Sequence, residues 1–199
     1  MTTYSFPNIT PASSTWELVT NTKTFRSPLT NAVQTANRKG SLWKCSLTFN
    51  NLQTGDRADL QAFLTKLNGQ EHRFTLHDHA FTRRGSGGGT PLVNGGSQTG
   101  PTIVLDGATA SVSNWLRAGD YLSFNNQLFM ATSDVNSDGS WNVTVPLAPP
   151  MRTSPADNTA VDISVPISGV FMLASTPSWN NRPGVFSTFT LDAIEDVLA

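Results

Sequence analysis

Apolar and polar residues alternate with a period of two in several segments of this 199-residue chain, a pattern typical of half-buried β-strands. The clearest example is residues 43–49, in which every second side chain is apolar. Trp16 and Leu18 indicate an earlier partner strand. Between the two, residues 27–31 (Ser-Pro-Leu-Thr-Asn) are rich in turn formers. We therefore predict a long antiparallel hairpin over residues 15–49 with a broad loop.

A helical period marks one segment, between Asp56 and Gly69. Its apolar residues recur at spacings of three and four: Leu60, Phe63, Leu64 and Leu67. Such a stripe predicts an amphipathic helix that lies on a sheet. Asp56 is the predicted N-cap, and Asn68–Gly69 suits the left-handed conformation that ends many helices. After the helix, residues 73–77 are predicted to form a further strand.

Short apolar segments follow at close spacing in the second half of the chain. They cover residues 103–105, 121–124, 127–130, 141–147 and 161–165. Asn125–Asn126 and residues 136–139 lie between them as tight turns. Short strands joined by tight turns predict a small antiparallel barrel or sandwich. Two more strands, over residues 170–173 and 184–191, are expected to return to the first sheet.

Glycine marks the clearest boundary between these parts. Residues 85–100 hold seven of the fifteen glycines, which predicts a flexible connector. A second break lies at residues 151–158, which are rich in turn formers. We therefore expect one domain built from residues 1–84 and 163–199, and an inserted domain over residues 85–162.

Charge and cysteine content narrow the class of protein. Charged residues make up 14% of the chain, against roughly 25% in ordinary soluble domains, and a weakly charged surface suits burial against neighbours. Residues 1–84 carry ten Lys/Arg and five Asp/Glu, whereas residues 85–199 carry three and nine. This basic surplus is too small to predict nucleic-acid binding. The single cysteine, Cys45, allows no intramolecular disulfide and suits a reducing cytoplasm.

The N-terminus lacks the features of a signal peptide, and no apolar run approaches the ~20 residues of a membrane span. We therefore expect a soluble chain that is synthesised and folded in the cytoplasm.

The best match to a metal site is residues 134–139, which resemble the first half of an EF-hand calcium loop. The twelfth loop position is Val145 instead of glutamate, and a strand pattern follows. An Asx-stabilised turn explains the segment without a metal. His77 and His79 share a strand face but His72 does not, so the histidines predict a surface or interface strand instead of a zinc site.

Other chemistry-bearing residues also favour structural interpretations. Residues 85–90 lack the third glycine and the βαβ unit of a dinucleotide loop. Cys45 lies on the apolar face of a predicted strand, which indicates an inert thiol. Arg83 and Arg84 are too few for a phosphate-binding patch, so we expect them to be solvated. We therefore predict no enzyme activity, no catalytic residue, no cofactor or cofactor-binding residue and no metal ligand.

An ordered series of segments carries a resemblance to a known family. The segments are residues 25–34, 40–43, 49–52, 62–64, 67–70, 73–78, 89–95, 116–120, 149–152 and 189–195. Together they cover most of the chain and resemble distal tail proteins, or closely related minor tail proteins, of siphoviruses and prophages. No single motif among them is diagnostic.

The resemblance implies a mainly β fold: a β-sandwich belt domain with one α-helix, related to tail-tube subunits, and an inserted small antiparallel β-barrel. It implies a structural virion protein that forms a ring, expected to be a hexamer, at the distal end of the tail tube. Its expected partners are further copies of itself, the tail tube protein, the tail hub protein and a side fibre or receptor-binding protein. Phage DNA would pass without sequence recognition, and no membrane is involved.

A different class remains open, that of a receptor- or glycan-binding adaptor module at the tail tip. In that alternative Trp115, Tyr121 and Trp141 would recognise a glycan or a fibre protein, since exposed aromatic rings can stack on sugars. The same rings would otherwise form the core of the inserted barrel. The insertion is shorter than the carbohydrate-binding-like domain of some relatives, which argues against direct binding of host sugars.

Overall fold

A computed structural model describes residues 1–38, 40–180 and 187–197. Its first elements are β1 (Thr3–Ser5), β2 (Ser13–Val19), β3 (Thr22–Arg26), β4 (Val33–Asn37), β5 (Leu42–Leu52), α1 (Thr54–Lys66), β6 (Arg73–Thr75) and β7 (Gly89–Val93). Its later elements are β8 (Gly100–Ala108), β9 (Tyr121–Phe124), β10 (Gln127–Ala131), β11 (Val143–Met151), β12 (Phe171–Leu173), β13 (Trp179–Asn180) and β14 (Ser187–Glu195). The prediction of a mainly β chain with one helix is confirmed.

The first sheet has seven strands and takes them from both ends of the chain. Its order is β1-β6-β12-β14-β5-β2, and β13 pairs with β14. The long strands β5 and β14 lie side by side, with Leu47 opposite Leu191. Along each of them alternate side chains are buried, so the period of two in the sequence reports the face that packs into the core.

Helix α1 lies against this sheet and buries Leu60 and Leu64. It begins at Thr54 with Gln53 as the N-cap, so the prediction of Asp56 as N-cap is wrong. Asp56 lies in the first turn of the helix, where its negative charge interacts favourably with the positive end of the helix dipole. The sequence pattern could not show whether Asp56 is the N-cap or a first-turn residue, because in either position its carboxylate lies beside backbone N–H groups that have no partner within the helix.

The predicted long hairpin is confirmed, but its broad loop is a second strand pair. Strand β2 pairs with β5, and beyond them β3 pairs with β4 in a separate two-stranded sheet. Asn31, with φ of 54°, closes the turn, and its N–H donates to the Ser27 carbonyl at 3.0 Å. We call residues 22–37 the arm.

The second sheet has five antiparallel strands in the order β7-β8-β11-β10-β9. The following chain bridges its two edges. The Val161 N–H donates to the Pro91 carbonyl at 3.0 Å, and the Asp162 N–H donates to the Ser123 carbonyl at 2.8 Å. These bonds close the sheet into a small barrel. The strand predicted over residues 161–165 is therefore reduced to isolated bridges at Ala160 and Asp162.

The predicted flexible connector over residues 85–100 is wrong in its first half. Gly89–Val93 is strand β7, and Gly85 and Gly87 are buried. A Cβ atom on Gly85 would lie 2.5 Å from the Trp115 carbonyl oxygen. Glycine is present there because two backbones approach closely, and not because the segment is mobile.

Two hydrophobic cores lie in the described part of the chain, one for each large sheet. Tyr121 and Leu128, on the second sheet, pack into the first core. Trp43 crosses between the sheets, since its Nε1 donates to the Leu128 carbonyl at 2.9 Å.

A buried ion pair joins the sheets at the same place. Glu195 on β14 accepts from Arg152 Nη2 at 2.5 Å and Nη1 at 3.1 Å, and from the Trp43 N–H at 2.9 Å. These contacts hold the two sheets in one orientation.

Candidate functional surfaces

Residues 134–139 are held by hydrogen bonds within the protein. Asp134 Oδ1 accepts the Ala118 N–H at 2.9 Å, and Asn136 Oδ1 accepts the Asn114 N–H at 2.7 Å. Asp138 Oδ1 accepts the N–H groups of Ser140 and Asn142, each at 2.8 Å. These bonds lower the pKa of Asp138, the bond from the Asn142 N–H most strongly. The prediction of an Asx-stabilised turn is confirmed at Asp138.

The rings of His77 and His79 lie together, with centroids 4.1 Å apart, as their shared face predicted. His72 lies elsewhere, with its ring against Tyr4. Both ring nitrogens of His79 are shielded from solvent and lack a hydrogen-bond partner among the described residues. Burial lowers the pKa of His79, and electrostatic repulsion from His77 lowers it further. Within the described ranges, no group of three or more His, Cys, Asp or Glu side chains is placed to hold a metal ion.

Cys45 lies in the first core and is 1% exposed. Burial, followed by the negative charges of Asp192 and Asp78, raises the pKa of its thiol to about 12. The thiol is therefore protonated at neutral pH and is no nucleophile.

Arg83 and Arg84 do not form a free basic patch, and the expectation that both are solvated is wrong for Arg83. Arg83 is half-buried, and its Nη1 donates to the Ile163 carbonyl at 3.4 Å. Arg84 is exposed, and its guanidinium donates to the Ala118 carbonyl. Both side chains donate to backbone oxygens of the barrel region and so tie the chain between β6 and β7 to it.

A cleft of about 590 Å³ opens between β6 and the closed end of the barrel. Among the described residues that line it, Asp162 is the one carboxylate and there is no histidine, lysine or arginine, and both Asp162 and Ser123 already have partners. Asp162 Oδ1 accepts the Ser164 N–H at 2.8 Å, and Ser123 Oγ accepts the Ile167 N–H at 3.1 Å. The cleft therefore offers no paired acid and base for catalysis.

The arm extends beyond the first sheet, and every residue of its strand β3 is exposed. Phe25 is 57% exposed, Leu29 at the tip is 94% exposed and Val33 is 53% exposed. The arm, residues 22–37, contains two Lys/Arg and no Asp or Glu. Apolar side chains on a basic, two-stranded projection form a surface suited to a protein partner of opposite charge.

The three aromatic residues that the glycan- or fibre-binding alternative invokes differ in how far they are exposed. Trp115 is fully buried and Tyr121 is 8% exposed, so both belong to the cores. Burial, followed by the charge of Asp78, raises the pKa of Tyr121 to about 12. Trp141 is 60% exposed, and it alone of the three is available to a ligand.

Sequence reasoning missed the buried carboxylates that hold the sheets together. Asp120 is 1% exposed and accepts the N–H groups of Arg84, Gly85 and Arg117, each at 2.8 Å. Glu195 was detectable, because the alternation of β14 that buries Leu191 also turns Glu195 inward. Its partner Arg152 is 43 residues away, and no local pattern links the two.

No protein-family model matches this chain, and no curated protein sequence matches it significantly. No helix in the described part of the chain is long and apolar enough to cross a membrane.

Proposed function

We propose that this chain is a non-enzymatic structural protein of a long-tailed bacteriophage. It forms a ring at the distal end of the tail tube, links the tube to the hub and lets DNA pass. The resemblance in sequence suggests the phage tail, and a hexamer is the ring size that it implies. The observation that carries the assembly is the projecting arm.

The packing within the arm is too small to make the hairpin stable by itself. An isolated two-stranded hairpin is marginally stable in water, yet residues 22–37 extend beyond the first sheet with Phe25 and Val33 exposed. A hairpin of this kind gains stability when a second surface covers its apolar side chains. A neighbouring copy in a ring supplies that surface at every position.

Charge favours a second copy of the chain as the partner. The arm is basic, whereas residues 85–199 carry nine Asp/Glu against three Lys/Arg. Opposite charge on different parts of one chain suits a head-to-tail contact, in which the arm of one copy meets a different surface of the next. Head-to-tail contacts that close on themselves make rings.

The insertion suits the periphery of such a ring. The ion pair between Arg152 and Glu195, together with the bond from Trp43 to Leu128, fixes its orientation on the first sheet. A rigidly held barrel can present a defined surface to a side fibre or receptor-binding protein.

Electron microscopy and light scattering of the purified full chain test the proposal, alone and mixed with tail tube and hub proteins. We expect rings with a central hole. The informative variant replaces residues 21–40 by Asn-Gly, a two-residue turn that joins the ends of β2 and β5 directly. It should fold, remain monomeric and form no ring.

Point variants give a milder version of the same test. Phe25→Ser combined with Leu29→Ser should weaken assembly. Val165→Ser is the matched control, because Val165 is 52% exposed but lies outside the arm. Rings that form equally well without the arm would contradict its role, and a chain that stays monomeric even with both tail partners would contradict the ring.

A further inference from the structure

The arm and the cleft between β6 and the barrel lie towards opposite edges of the first sheet. The arm leaves this sheet between β2 and β5, at the edge that β2 forms. The cleft opens beside β6, which lies next to β1 at the other edge, and Thr75 of β6 is part of its wall. No described residue of the arm lines the cleft of its own copy. An arm that occupies this cleft would therefore belong to a neighbouring copy.

The cleft is mainly apolar and carries one negative charge. Its lining includes Phe124 and Ile167, and Ile167 is 47% exposed. An exposed isoleucine is stabilised when a partner covers it. Asp162 is the one charged side chain among the described residues of the lining. It is exposed, and the N–H groups of Ser164 and Val165 both donate to its Oδ1. Oδ2 can therefore accept a hydrogen bond from a cation that enters the cleft.

The tip of the arm carries groups that complement this cleft. Leu29 is 94% exposed at the turn, and Phe25 is 57% exposed. Arg26 ends β3 directly before the turn and is exposed as well. The cleft has a volume of about 590 Å³, and clefts of roughly 300–1,000 Å³ enclose compact ligands. A hairpin tip with apolar side chains and one cation thus matches the cleft in size and in charge.

We propose that the cleft is the receptor for the arm tip of a neighbouring copy, a role that rests on the proposed ring. Leu29 of one copy packs against Ile167 of the next, and Arg26 pairs with Asp162. The contact is head-to-tail, because each copy uses its arm at one edge of the first sheet and its cleft near the other. Since β6 and the barrel both line the cleft, the arm contacts both parts of its neighbour.

Two exposed apolar residues of one loop provide a matched test in the full chain. Ile167→Ser should raise the protein concentration at half-assembly about fivefold, because an apolar contact is lost at every junction. Val165→Ser is the control, since Val165 is 52% exposed and does not line the cleft. It should assemble like the wild type. Light scattering over a range of concentrations measures both, with tail tube and hub proteins present if the wild type needs them.

Charge reversal tests the pairing of Arg26 with Asp162 directly. Arg26→Glu and Asp162→Arg each bring like charges together and should raise the concentration at half-assembly at least about tenfold. An equal mixture of the two variants should restore rings, because in alternating order every arm meets a cleft of opposite charge. Asp134→Arg is the control, since Asp134 is also exposed and its Oδ1 also accepts a backbone N–H, but it lies outside the cleft. It should neither weaken assembly nor rescue Arg26→Glu.

The outcomes separate the receptor from the ring itself. Rings that form normally from Ile167→Ser and Asp162→Arg would overturn the cleft as the receptor and leave the ring standing. So would a mixture that fails to assemble although both of its variants melt like the wild type. If Asp162→Arg melts well below the wild type, Ile167→Ser and its control decide the question. Cleft variants that form rings but no longer bind the tube or hub protein would assign the cleft to that partner and overturn the proposal. A wild-type chain that forms no ring under any condition would overturn both proposals.

Discussion

Glu195 is a carboxylate with 3% exposure, and its charge is compensated mainly by one side chain. Arg152 approaches it with two nitrogens, and the Trp43 N–H supplies a third donor. A buried pair of this kind contributes little net stability when it is intact. Removal of one partner is costly because the other charge stays buried.

Arg152→Ala should therefore lower the free energy of unfolding by about 3–5 kcal/mol. Urea denaturation followed by fluorescence measures the change. Arg117→Ala is the matched control, because Arg117 is exposed and its loss should cost less than about 0.5 kcal/mol. Equal effects of the two substitutions would contradict the assigned role of Arg152.

His79 should make stability depend on pH. Its pKa is lowered in the folded protein by burial and by His77, with Asp78 opposing, whereas an unfolded histidine titrates near ~6.5. Below that pH the unfolded chain binds a proton that the folded chain does not, so the free energy of unfolding falls as the pH decreases. The loss begins near the unfolded pKa and ends once the pH passes the folded pKa.

The variant His79→Phe should show a shallower decrease in stability from about pH 7 to pH 5. Urea denaturation at a series of pH values gives the slope for each protein. A slope that the substitution leaves unchanged would show that His79 does not cause it.

Single residues also show where sequence reasoning stops. Alternation along a strand placed Cys45 and Leu47 in the core correctly. The exposure of Trp141 had no such signal: the pattern placed it in a strand over residues 141–147, whereas β11 begins at Val143 and Trp141 lies in the preceding turn with a φ of 64°. Asp106 and Asn94 lie next to Asn142 only after β7, β8 and β11 have paired.

At the scale of elements, the glycines of residues 85–89 show why composition misled. A flexible linker and a tightly packed backbone both need glycine, and only the surrounding structure distinguishes them. Gly85 leaves no room for a Cβ beside the Trp115 carbonyl and the Leu116 backbone. The segment is one of the most constrained parts of the connection between the two sheets.

Gly85→Ala should consequently destabilise the protein by about 2 kcal/mol, since overpacking forces backbone shifts. Gly55→Ala is the matched control, because nothing lies within 4 Å of the Cβ position there. It should leave stability unchanged or raise it slightly. Thermal unfolding of both variants tests this prediction. A Gly85→Ala protein as stable as the wild type would contradict the close packing and support a flexible connector instead.

Strands and the helix were predictable because their periods are local. The stripe of α1 and the alternation of β5 each report one buried face. The pairing of β3 with β4 was missed because both strands are exposed and carry no such alternation. The arm thus escaped prediction for the same physical reason that makes it a candidate interface.

At the scale of the whole molecule, two sheets are held together by a few buried polar groups and by Tyr121 and Leu128, which pack into the first core. Asp120, Glu195 and Trp43 each form a hydrogen bond with a residue far away in the chain. Nothing in the local sequence could indicate such contacts between segments far apart in the chain. Outside these contacts, the arm on the first sheet leaves its apolar side chains exposed, which is why we propose it as the surface for a neighbouring copy.

The central claim is that the arm builds a ring. Electron micrographs of the purified full chain, alone and with tail tube and hub proteins, test it most directly, beside the variant in which Asn-Gly replaces residues 21–40. We expect rings with a central hole from the full chain, and single particles from a variant that remains folded. A full chain that forms no ring under any of these conditions, or a ring that persists without the arm, would contradict the account.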